Sequence, residues 1–210
     1  MKFYSVLLLS YGLSACVANR VTHDVIFFDN AAKNAFEIKT MTLKQERSSI
    51  AFENGETADN CETYYQLQKE SHLEETVNNM SKGSEYNICE VLKLIEASKG
   101  TFSELPDKDS LGHYIAHNLD LREMRSSLYQ RTTDEAFTLA TMIPTSKLQI
   151  GDTVAQFVEN NHAFSIEALA AVQLNNNDKP DLILRVVDEH LDGNYRSYSV
   201  EVLYDVSFDN

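Results

Sequence analysis

Apolar residues in this chain recur with two periods, and the change between them divides it. Leu73, Val77 and Met80 stand at i, i+4 and i+7, which predicts a helix over 62–80. Ser84 is placed to cap a second helix over 85–98, with Ile88, Val91, Leu92 and Ile95 as its apolar stripe and Gly100 as its stop. Further upstream the period is two. It predicts one strand from Val21 to Phe28 and another from Phe36 to Leu43, followed by an acidic loop at 53–60. Residues 104–131 read both ways: Leu111, Tyr114, Ile115 and Leu119 have helical spacing, while Leu119 to Leu128 suits a strand.

From residue 136 the chain turns β-rich. Phe164-Ser165-Ile166-Glu167-Ala168 alternates and continues to Val172, and Leu182 to Val187 is nearly unbroken apolar sequence, as in a strand covered on both faces. Tyr198, Val200, Val202, Tyr204 and Val206 alternate with Ser199, Glu201 and Asp205. Asp192-Gly193-Asn194 between these runs is a hairpin signal. The fold class expected is α+β, a C-terminal antiparallel sheet with a disulfide-linked helical segment. A single domain is expected over 35–210, helical over about 62–130 and β-rich over about 136–210.

The N-terminus carries a different signal. Lys2 precedes the apolar run Val6-Leu7-Leu8-Leu9, and Leu13-Ser14-Ala15-Cys16 follows. The run is shorter than the roughly 20 residues needed to cross a bilayer. Residues 1–16 resemble the signal peptide and lipobox of bacterial lipoproteins. The resemblance implies cleavage of 1–15, lipid on Cys16, a membrane contact through that lipid, and a lipidated segment 16–34 leading into the first strand. Val17 in place of Asp after the cysteine implies the outer membrane.

Cys61 and Cys89 are the remaining cysteines. An exported chain permits a disulfide, and closing about 29 residues contributes roughly 3–4 kcal/mol in the chain-entropy model. A helix spanning 62–80 would be about 28 Å long and would hold Cys61 away from Cys89. Either the first helix is shorter than its pattern or residues 81–88 run back alongside it; the former is expected, with the helix beginning near Glu70.

The formal charge is −14. It disfavours nucleic acid as a partner and favours a basic protein, a basic peptide or a divalent cation. Two groups of residues are candidate metal ligands. Residues 173–181 resemble the calcium loop Asp-x-Asn-x-Asp-Gly-x-x-Asp of extracellular calcium-binding and propeller-like repeats. Asn175 and Asp181 match, Asn177 stands for an Asp, Gln173 replaces the first Asp, and Asp178 replaces the glycine. With so few carboxylates, calcium binding here would be weak, on the order of millimolar. His113 and His117, at i and i+4 on a helix, could share a zinc ion with Asp120 or Glu123.

The sequence contains no nucleophile elbow and no phosphate-cradling glycine loop. Asp188-Glu189, lying on a strand, point to opposite faces and make a poor acid–base pair. The reading is a lipid-anchored, non-enzymatic envelope lipoprotein that binds a cationic partner through an acidic surface and needs no cofactor. The alternatives are a periplasmic metal-dependent hydrolase using His113 and His117, or a structural envelope component.

Overall fold

A computed structural model of the chain describes residues 25–102, 107–124, 126–177 and 179–207. Cys16 and residues 21–24 of the first expected strand lie outside them. The elements in order are β1 (Ile26–Phe27), α1 (Asn30–Glu37), α2 (Lys39–Lys44), β2 (Ile50–Ala51), β3 (Thr57–Ala58), α3 (Cys61–Leu67) and α4 (Val77–Glu96). They continue with α5 (Leu111–Asn118), α6 (Leu139–Met142), β4 (Gln149–Ile150), β5 (Val154–Glu159), β6 (His162–Val172), β7 (Asp181–His190) and β8 (Arg196–Leu203). The class is α+β. Among the described residues, no helix is long and apolar enough to cross a membrane.

The main sheet runs β4-β5-β6-β7-β8, antiparallel throughout, with β1 pairing the far end of β6. Its turns follow from local chemistry. Asn160 and Asn161, at φ 50° and 60°, make the two-residue link between β5 and β6; asparagine tolerates the left-handed backbone that such a hairpin needs. The predicted Asp192-Gly193-Asn194 turn joins β7 to β8, where the His190 amide donates to the Tyr195 carbonyl at 3.0 Å.

Both sheet faces are covered. On one, Phe157, Phe164, Ile166, Leu182, Leu184 and Val186 pack against Leu111, Ile115 and Leu139. On the other, Ala170 and Ile183, with Val200 at the margin, meet Val91 and Ile95 of α4. Coverage of both sides accounts for the unbroken apolar run of β7. A third cluster of Ile50, Phe52, Tyr64 and Tyr86 lies around the Cys61–Cys89 bridge, whose Cα atoms are 5.4 Å apart. Each fully buried Leu, Ile or Phe contributes about 1.5–3 kcal/mol.

Several local expectations are corrected. The strand expected over 36–43 is instead parts of α1 and α2. Asp29 caps α1 by accepting from the Ala32 amide at 2.7 Å, and the helical pair Ala32 and Phe36 is what packs inward. Ile38 and Met41 remain exposed. The helix over 62–80 is indeed shorter, as the bridge demands, but it keeps its beginning rather than its end. Cys61 opens α3, and Leu73 forms an isolated bridge with Phe52. Val77 and Met80 belong to α4, capped by Thr76 rather than Ser84, which lies inside the helix. The described residues between Leu119 and Leu128 form no strand. Leu119, Leu121, Met124 and Leu128 enter the core from turns and a short 3-10 segment. Strand β8 ends at Leu203, so Tyr204 and Val206 leave the alternation.

Gly112 lets α5 lie against the β4–β5 turn. A Cβ there would stand 2.0 Å from the Gly151 carbonyl oxygen and 2.6 Å from that of Val154. Neither is a side-chain atom that can swing away. Gly112→Ala is expected to lower unfolding stability by about 2–3 kcal/mol, read by urea denaturation, whereas Gly83→Ala, with only Tyr198 at 3.9 Å, should not.

Candidate functional site

The two sequence-predicted metal groups are folded in different ways. His113 and His117 lie on α5 with rings stacked 3.9 Å apart, both exposed. His117 Nδ1 contacts the His113 carbonyl at 2.9 Å. Asp120, one suggested third ligand, is tied to Arg122, whose guanidinium and amide hold its carboxyl below the ordinary value. Glu123 lines a separate cleft. Among the described residues, no group of three or more His, Cys, Asp or Glu side chains could hold a metal ion.

In the 173–181 loop, the oxygens expected to face a cation face hydrogen-bond donors. The Gln173 side-chain amide donates to Asn175 Oδ1 at 3.0 Å, to Asn177 Oδ1 at 3.3 Å and to the Asn177 carbonyl. Asp181, fully buried, accepts from the amides of Leu174 at 2.7 Å and Asp205 at 2.9 Å. Asn175 and Asn177 both donate to Asp205. Asp178 lies outside the described residues. This set fits a hydrogen-bonded turn closing β6 to β7 better than an oxygen cage.

A polar cluster that the sequence did not single out lies at the other end of the sheet. Asp188 is 1% exposed. It accepts from the Ser127 amide at 2.6 Å, the Ser127 hydroxyl at 2.9 Å, His162 Nε2 at 2.6 Å and the Tyr195 hydroxyl at 3.1 Å. Burial, then the Asp188 charge, pushes the Tyr195 phenol up to about 12, so it stays a donor at neutral pH. Glu189 points to the opposite face, where the Tyr198 hydroxyl reaches it at 3.3 Å. That is the orientation expected of strand neighbours.

Ser, His and Asp together invite comparison with a hydrolytic triad, but the connectivity differs. In a triad one imidazole nitrogen faces the serine and the other faces the carboxylate. Here His162 Nε2 contacts both, at 3.1 Å from Ser127 Oγ and 2.6 Å from Asp188. The carboxylate only accepts, so Nε2 carries the proton and cannot take one from Ser127. The hydroxyl donates to Asp188 instead. The cluster ties the 124–131 segment and the β7–β8 turn to the sheet end.

Tyr195 and Ser197 separate two concave regions. One, of about 640 Å³, is lined by Arg122, Glu123, Tyr129 and Gln130. On the other side is a groove of about 660 Å³, where Glu53, Glu74 and Glu75 stand across from Tyr195, Arg196 and Tyr198. It continues past Gly83 along Tyr198, Ser199 and Val200 toward Tyr86 and Glu90. Its carboxylates come from the acidic loop and from the segment before α4, brought together by the Phe52–Leu73 bridge. That bridge spans 21 positions of sequence and has no local signature.

Asp188→Ala removes the buried acceptor shared by the Ser127 amide and hydroxyl, His162 and the Tyr195 hydroxyl, and is expected to cost about 3 kcal/mol in urea unfolding. Asp205 gives a second measurement. Hydrogen bonds from Asn177 and then Asn175 hold its carboxyl below 3.8. A lowered folded value means its contribution is full above 3.8 and is lost as pH falls below it. An NMR titration should place Asp205 under 3.8, and Asn177→Ala should move it up toward that value.

Comparison of the chain with protein-family models, with curated proteins and with solved structures finds no match.

Proposed function

We propose that this chain is a lipid-anchored lipoprotein of the bacterial outer membrane that binds a basic protein partner through an acidic surface and catalyses no reaction. The anchor rests on Leu13-Ser14-Ala15-Cys16 behind a charged, apolar start. The observation that carries the binding role is the groove wall of Glu53, Glu74 and Glu75, with Arg196 the sole Lys or Arg among the described residues lining that part of the groove. Three glutamates line the groove there, Glu53 and Glu75 exposed and Glu74 partly buried. Exposed charges of one sign steer an oppositely charged partner and set its register. Tyr195 and Tyr198 across the groove supply rings with one wet end, a side-chain type favoured where proteins meet.

The hydrolase alternative draws less support. His113 and His117 are joined by no third ligand among the described residues, and the Ser127 hydroxyl is committed to Asp188.

The test is a photo-crosslinking residue placed at position 75 of the full chain in the cells that produce it. A basic protein captured there, in an amount that falls as the salt present during irradiation is raised and the Debye length shortens, is expected. The charge reversals Glu53→Lys, Glu74→Lys and Glu75→Lys together should reduce capture about tenfold, whereas Glu46→Lys, Glu62→Lys and Glu135→Lys, an equal change in charge, should not. Equal loss in both variants would reduce the effect to net charge and overturn the assignment to the groove.

A further inference from the structure

We infer that the groove takes an extended, lysine- or arginine-bearing segment of the partner, which adds a strand to the free edge of β8. The inference rests on the partner-binding reading and specifies how the partner is held.

Among the described residues, strand β8 is the last of the sheet and pairs only with β7. The bond from the His190 amide to the Tyr195 carbonyl sets the ladder. In an antiparallel pair the inward-bonding residues alternate, so Ser197, Ser199, Glu201 and Leu203 bond to β7. The amides and carbonyls of Tyr198, Val200 and Val202 then point away from the sheet. Among the described residues none of these groups has a hydrogen-bond partner outside the strand ladder. Exposed edges are ordinarily blunted by proline, a bulge, shortness or a covering segment. Strand β8 has eight residues, no proline and an unbroken register with β7. The opposite edge, β4, has two residues.

What lies beside this edge is a trough rather than open solvent. The residues lining the groove put α4 along its floor, β8 on one side and the segments around Glu53 and Glu74 on the other. Gly83 keeps the floor low. It sits inside a helix, where glycine is unfavourable, yet a Cβ there would meet only Tyr198 Cδ2 at 3.9 Å. Conformation does not require this glycine, because its φ is not positive. What the missing side chain leaves is room. An added strand lies about 4.8 Å from its neighbour and points successive side chains to opposite faces. Alternate residues of a segment on β8 would meet the Glu53, Glu74 and Glu75 wall, and a basic residue at those positions matches it in charge.

The probe is an acetylated, amidated peptide of four Lys-Val repeats, titrated onto the full chain in mild detergent by fluorescence anisotropy with hydrogen exchange in parallel. Binding should slow exchange of the Tyr198 and Val200 amides. It should weaken by about tenfold, the equivalent of one or two net hydrogen bonds, when alternate peptide amides are N-methylated. Gly83→Leu should weaken binding at least as much, with unchanged urea stability as the control for folding. A four-repeat Glu-Val peptide should not bind.

Lys-Val binding without protection of Tyr198 and Val200, and indifferent to N-methylation, overturns strand addition while leaving acidic partner binding standing. Absence of Lys-Val binding together with absence of a salt-sensitive partner at position 75 overturns both. Protection of the same amides without peptide, rising with protein concentration, assigns the edge to a second copy of this chain and overturns the peptide proposal.

Discussion

Helix α4 has to bury two faces at once, and the rest of the architecture follows from that constraint. Val91 and Ile95 lie against Ala170 and Ile183 of the sheet. Tyr86 and Cys89 turn the other way, into the cluster of Phe52, Tyr64 and the bridge to Cys61. A helix apolar on more than one side is stable only when it is sandwiched. The small β2–β3 and α3 unit, too small to hold a core alone, is held by the helix it covers. Asn79 completes the join. Its side chain accepts from the Ala51 amide at 3.0 Å and donates to the Ala51 carbonyl at 2.7 Å, so one amide group does the work of a strand partner.

Among the described residues, the buried carboxylates sit near the two ends of β7. Asp181 at one end and Asp188 at the other are both almost fully buried, and each accepts several hydrogen bonds. The strand between them is the apolar centre of the sheet. Carboxylates so placed are tolerated because backbone amides, hydroxyls and an imidazole replace the water they lose. They also fix the loops at each end, residues 173–181 at one and 124–131 at the other, with little regular structure to hold them. The loop that resembles a calcium site shows how this works: the Gln173 amide nitrogen stands amid oxygens that a cation would otherwise gather.

The parts legible in the sequence are those whose burial is periodic. The stripe Val91, Leu92 and Ile95, the alternation from Phe164 and the run from Leu182 all lie in the elements and faces their spacing implies, because one side of each must meet a core. The bridge, too, can be reasoned from chain reach, but reach does not say which end of the helix gives way: Leu73, Val77 and Met80 match a helical face by coincidence, while the Thr76 cap starts α4 anew. Phe36 to Leu43 failed for the converse reason. Its alternation is real, but the Asp29 cap and the Ala32–Phe36 spacing outweigh it. The Asp188 cluster and the glutamate wall were illegible, since their members are separated by tens of residues and meet only through tertiary pairing.

The Cys61–Cys89 bond joins the unit that bears Phe52 and Glu53 to the helix that forms the groove floor. One wall of the groove is thus fastened to its base by a covalent bond that a reducing cytosol would keep open. Before oxidation, only noncovalent packing holds the carboxylates opposite β8. Under the proposed export and partner binding, recognition would mature only after the membrane has been crossed, and a basic partner made in the same cytosol would meet a surface still incompletely assembled.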